Sequence, residues 1–168
     1  MKKIFVIALP VIFALYLVSG CKKDKDEDPG VTYGTSLATG KIGGKAFTAN
    51  TASVEGDYWD SSKYDFDFYG TVKADPCAYI GLDSFQVMFI LPKKTGTYPI
   101  SFNLFNTENN RTVTFFVLEG NMNNIAIKGN IEIISIDSTV ANEVKGRLNV
   151  TCDAANFLNG TFTAKLCK

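Results

Sequence analysis

From Val31 onward, apolar residues recur at alternate positions in short runs, and glycine, asparagine or proline ends each run. A period of two marks a half-buried strand, whereas a helix needs apolar spacing near 3.6. Tyr64, Phe66 and Phe68 alternate with Asp65 and Asp67, which predicts a strand with one buried and one wet face. Residues 37–42 and 45–49 flank Gly43-Gly44, the two-residue turn of a hairpin. Residues 85–91 are apolar on both faces and predict a central strand. Residues 112–118 are rich in β-branched and aromatic side chains; 125–127 and 131–136 follow around Gly129-Asn130. Residues 146–151 and 160–165 alternate again and read as a closing hairpin around a short loop centred on Asn156. No stretch after residue 30 carries a helical period. The expectation is a single all-β domain over residues 36–168, an antiparallel β-sandwich or barrel. Without a helical crossover, the pairing is expected to be antiparallel throughout.

The first thirty residues are of another kind. Lys2 and Lys3 precede a charge-free run from Ile4 to Val18, and Ser19-Gly20 lead into Cys21. A basic start, an apolar stretch and small residues before a cut form a secretory signal peptide over residues 1–20. The run is shorter than the roughly 20 apolar residues of a membrane span and contains Pro10. Residues 22–28 are all charged, then Pro29-Gly30 break the chain; such a segment buries nothing and reads as a solvated tether over residues 21–35.

Val18-Ser19-Gly20-Cys21 resembles the lipobox of bacterial lipoproteins, in which the cysteine after the cut carries the lipid. The charged run after it resembles the acidic export signal of Bacteroidota surface lipoproteins, with Lys22 and Lys23 diluting the match. These resemblances imply lipidation at Cys21 and a lipid-anchored place in the outer membrane, facing outward; the inner leaflet is the alternative. Farther on come Gly40-Lys41-Ile42-Gly43-Gly44-Lys45-Ala46-Phe47, Gly96-Thr97-Tyr98, Lys145-Gly146-Arg147-Leu148 and Gly160-Thr161-Phe162. This order is similar to a group of small Bacteroidota lipoproteins without an established function, some compared with calycin-like barrels. These motifs are glycines and core positions, so the resemblance implies fold and carries over no functional residue beyond Cys21. Asp137-Ser138-Thr139 resembles the short O-glycosylation motif of exported Bacteroidota proteins and marks Ser138.

Composition excludes several function classes. Lys2 and Lys3 leave with the signal, so 15 of the 17 basic side chains remain against 17 acidic ones, a net of −2. That balance offers nucleic acid no basic footprint. There is no histidine, which removes the commonest general base, zinc ligand and triad member. No cofactor or metal motif is present, and the chain is read as not an enzyme. Of the three cysteines after Cys21, Cys152 shares the alternation of Leu148 and Val150 and is expected to face the core as a free thiol. Cys77 in a polar turn and Cys167 near the chain end are the expected disulfide; the alternative leaves all three reduced.

One segment suggests recognition. Residues 55–69 combine carboxylates with the only tryptophan. Tyr58 and Trp59 can stack on a sugar while Asp57 and Asp60 accept hydroxyl protons. The structural alternative is a polar loop followed by the wet face of a strand. The expected partners are the membrane, through the lipid, and a glycan or an outer-membrane protein. The first functional reading is thus an envelope binding or adhesion module. The others are a calycin-like carrier of a small apolar ligand and a hydrolase working with carboxylates alone.

Overall fold

The computed structural model describes residues 32–78, 83–102 and 110–168. The signal peptide, Cys21, most of the tether and residues 79–82 and 103–109 lie outside the described residues. Among the described residues there is no helix. The strands are β1 (Thr39–Ile42), β2 (Lys45–Thr48), β3 (Thr51–Gly56), β4 (Lys63–Tyr69), β5 (Phe85–Pro92), β6 (Gly96–Pro99), β7 (Val113–Val117), β8 (Met122–Ala126), β9 (Lys128–Asp137), β10 (Glu143–Asp153) and β11 (Asn156–Leu166).

All eleven belong to one sheet in the order β6-β9-β10-β11-β3-β4-β5-β7-β8, with β1 and β2 branching from β11. β8 ends one side of this order and β9 lies next to the other end, yet only Ile127 separates them in sequence. One residue can join them only if the two ends of the sheet approach each other, so the sheet curls into a half-barrel. The chain is all-β, as its alternation predicts.

The pairing is not antiparallel throughout. The end of β11 runs parallel to β3, with Lys165 beside Ser53 and Leu166 beside Val54. The argument from missing helical crossovers fails because seven intervening strands make the connection. One flank of the long β11 serves two partners, β1 at its start and β3 at its end. The turn between β1 and β2 is the expected glycine pair: Gly43 and Gly44 take φ of 57° and 79°, as a tight hairpin turn requires. The closing hairpin is longer than its sequence suggests. Asp153 pairs with Asn156, so Asn156 belongs to β11 and is buried. Its Oδ1 accepts the Gly43 N–H at 2.8 Å, which ties the first hairpin to the last.

The inner face of the curl is the core. Phe66 and Phe68 of β4, Phe89 of β5 and Phe162 of β11 meet there. Phe66 stacks on Phe89 at 4.8 Å between centroids, and Phe162 lies 5.0 Å from Phe68 and 6.0 Å from Phe66. Gly146 faces Phe162 across the β10–β11 ladder, and a Cβ there would come within 2.4 Å of the ring, so only glycine leaves it room. The last residues assigned to the tether rest on the domain: the Gly34 N–H donates to Asn159 Oδ1 at 2.7 Å, and the Arg147 guanidinium lies 4.4 Å over Tyr33.

Candidate functional site

The loop of residues 57–62 joins β3 to β4, and its two aspartates fold it. Asp57 Oδ1 accepts the N–H groups of Trp59 at 3.0 Å and Asp60 at 2.6 Å. Asp60 Oδ1 accepts the Ser62 hydroxyl at 2.6 Å and its N–H at 3.0 Å, and Asp60 Oδ2 pairs with Lys63 at 3.0 Å. The Ser62 hydroxyl first, then Lys63, hold the Asp60 carboxyl down at about 2. With the backbone turned inward on these acceptors, the side chains between them point out. Tyr58 is 87% exposed and Trp59 89%, their rings edge to face at 4.8 Å. Scattered exposed apolar residues are ordinary, but two large rings in contact at the tip of a pinned hairpin form a patch. The structure brings together all four residues singled out in the sequence, yet divides their roles. Tyr58 and Trp59 are presented to solvent; Asp57 and Asp60 hold the loop rather than standing open to a ligand.

The next strand corrects the expectation of a simple wet face. Asp65 stands opposite Glu55, and Asp67 opposite Ser53. Both carboxylates are half-buried on the outer side of the sheet. Asp67 accepts the Gln86 side-chain N–H at 2.6 Å, and burial outweighs that bond and moves its pKa up. Asp65 is pushed up to about 6, by burial first and then by the charges of Asp67, Asp57 and Glu55. Alternation assigns these residues to the outer face but does not reveal that their neighbours partly cover them.

This position yields a prediction. The folded chain holds the Asp65 proton more tightly than the unfolded chain. The stability this group contributes is present below the unfolded value of 3.8 and is lost as pH rises through about 6. Asp65→Asn should therefore raise stability at pH 7 by about 1–2 kcal/mol, after discounting for solvent screening, and leave it nearly unchanged at pH 4. Urea titrations at the two pH values check this. A variant no more stable than the parent at pH 7 would remove the strain assigned to the site.

Beside Asp65 the outer surface sinks into a groove of about 440 Å³ that crosses β4, β5 and the approach to β7. Met88 and Ile90 make its apolar floor, and Lys63, Asp65, Arg111 and Thr114 stand around it. The register places Lys63 opposite Pro92, Asp65 opposite Ile90 and Met88 opposite Thr114. The groove thus opens at the end of the sheet from which the Tyr58–Trp59 loop projects. Arg111 lies 5.6 Å over the Tyr98 ring and has no carboxylate partner among the described residues. Sequence reasoning missed this groove because its walls come from three strands far apart in the chain.

The remaining singled-out residues lie elsewhere. Ser138 is exposed in the turn after β9, beside Asp137, whose carboxylate accepts the N–H groups of Val140 and Thr139, both at 2.9 Å, and is held at about 2. Cys77 and Cys167 are joined, with Cα atoms 5.3 Å apart. The Cys167 N–H also donates to Val54 O at 2.8 Å, so the bridge fastens both the chain end and the loop after β4 to the sheet. Cys152 faces the core at 7% exposure, but it is disulfide-bonded rather than a free thiol, which corrects that expectation. No cluster of three or more histidine, cysteine or carboxylate side chains suited to a metal occurs among the described residues. No family model, curated protein or solved structure matches the chain.

Proposed function

We propose that this chain is a lipid-anchored envelope protein, facing outward from an outer membrane, that binds glycan through the Tyr58–Trp59 loop. The observation that carries the reading is the exposure of two contacting aromatic rings on a hairpin tip held by its own aspartates. Folding gains from burying such rings, so a structure that presents them forgoes that gain, and sugar C–H faces are a ligand chemistry that recovers it. An outer-membrane protein is the other partner class. A carrier would need an apolar interior left empty, and here four phenylalanine rings occupy it.

Trp59 is the only tryptophan, so its emission reports on this loop alone. Iodide should quench it in the free protein, and a bound polysaccharide should shield it. If no polysaccharide in a panel of plant, host and bacterial glycans reduces quenching, glycan binding through this loop is excluded.

The address has its own test. A lipoprotein's acyl chains each add about 0.8 kcal/mol per buried CH₂ to membrane affinity, and loss of the anchor should release the chain. Cys21→Ala should therefore move the protein from the membrane to the soluble fraction. A Cys21→Ala variant that sediments with membranes in the same proportion as the parent would sink the lipoprotein reading.

Asp65 favours a second reading, a hydrolase working with carboxylates alone. A carboxyl held near 6 opposite Glu55 resembles the acid and base pair that glycoside cleavage requires. Release of reducing ends from a bound glycan, abolished in Asp65→Asn, would support it over simple binding.

A further inference from the structure

We infer that the groove across β4, β5 and β7 and the Tyr58–Trp59 loop form one extended site for a neutral oligosaccharide, one sugar stacking on Trp59 while others lie along Met88 and Ile90 within reach of Asp65 and Arg111. The inference rests on the glycan-binding reading of the loop and assigns it a ligand class and a second contact surface.

Continuity comes from Lys63. Its ammonium pairs with Asp60 inside the loop, and the same residue forms a wall of the groove. A ligand leaving the aromatic tip along β4 therefore meets Asp65 two residues later, about 7 Å on at the rise of a strand.

The charges around the groove select the ligand. Lys63 is neutralised by Asp60, which leaves Arg111 and Asp65 as the opposed charges on the walls. Asp65 is also faced by Glu55 from β3, Asp57 from the loop and Asp67 on its own strand, while β5 presents only Ile90 and Met88. An anionic ligand meets these carboxylates, and a cationic one meets Arg111. Neither sign is favoured along the whole groove. A ligand that both donates and accepts hydrogen bonds suits both walls.

The hydrogen-bond capacity of the two residues agrees. Asp65 is half-buried among other acceptors and receives the Phe66 N–H, so its remaining lone pairs call for neutral donors such as hydroxyls. Arg111 rests against Tyr98 and carries five N–H donors without a carboxylate to receive them among the described residues. Between them the apolar floor matches the C–H face of a pyranose ring. Donor, acceptor and flat apolar surface together describe a sugar chain rather than a lipid or a phosphorylated ligand.

The test uses the full-length protein in detergent and the hexasaccharides of cellulose, xylan, mannan and starch, with hexagalacturonate and chitosan hexamer as charged controls. At least one neutral hexasaccharide should shift Trp59 emission and bind about tenfold more tightly than its own disaccharide and than either charged hexamer. Asp65→Asn and Arg111→Ala should each weaken that binding about tenfold by calorimetry, the scale of a hydrogen bond to a charged group. Asp65→Asn is expected to fold more stably than the parent, so a loss of binding there reports on the groove. If the hexasaccharide shields Trp59 while both groove variants bind as the parent does, the extended site is wrong and the loop reading stands. A charged hexamer that binds more tightly than every neutral one overturns the ligand class. If no hexamer binds by calorimetry or fluorescence, the inference fails; the loop reading then fails as well only if the polysaccharide panel also leaves Trp59 unshielded.

Discussion

Phe162→Ala is expected to destabilise the protein by about 3–5 kcal/mol, the cost of removing a large buried ring whose space the surroundings cannot refill. The ring touches Phe66, Phe68 and Phe89, and it lies over Gly146, which has no side chain to move into the gap. In a domain of this size the melting temperature should fall by about 10 °C or more. Phe162→Leu should lose less, because most of the volume stays. Tyr58→Ala, at the exposed loop tip, should change stability by no more than about 0.5 kcal/mol. Chemical denaturation of the three variants checks the ranking. A loss below 1 kcal/mol for Phe162→Ala would mean that the four rings do not form the centre of the core.

Opening the Cys77–Cys167 bridge should have the second largest effect. The two residues are 90 apart in sequence, so the link restricts much of the unfolded chain. The chain-entropy estimate for such a loop is about 4–5 kcal/mol, and measured losses for native bridges are commonly about 2–5 kcal/mol. The double variant Cys77→Ser/Cys167→Ser should therefore unfold at clearly lower denaturant with its β spectrum intact at zero denaturant. Limited proteolysis should then cut first around Cys77 and after Leu166, the points the bridge holds beside β3. Equal stability of the parent and the double variant would show that the bridge does not constrain the chain.

These two predictions draw on different levels of information. The alternation in β4 already places Phe66 and Phe68 on one face, and the alternation in β11 does the same for Phe162. That they meet is not written in either strand, because it depends on β11 lying parallel beside β3. Gly146 shows the same division. In the chain it reads as one glycine of a recurring motif, whereas in the sheet it is the position that accepts the Phe162 ring.

The candidate site was legible only in part. The grouping of Tyr58, Trp59, Asp57 and Asp60 is local, and a six-residue loop keeps such neighbours together whatever the rest of the chain does. Their separate roles came from hydrogen bonds, since an aspartate that accepts backbone N–H groups two or three residues ahead no longer stands open to a ligand. Alternation places Asp65 on a wet face, because a period of two reports which face a residue takes and not how well that face is covered.

Near neighbours in the chain suffice to dictate that the strands form, which face of each is apolar and where the tight glycine turn lies, because these follow from the pleat and from backbone sterics within a few residues. The parallel join of β3 to β11, the curl that brings β8 round to β9, the raised pKa of Asp65 and the groove lined by Arg111 arise only once the whole sheet has assembled. Each of these depends on which distant strands become neighbours, and that is settled by the packing of all the apolar faces together.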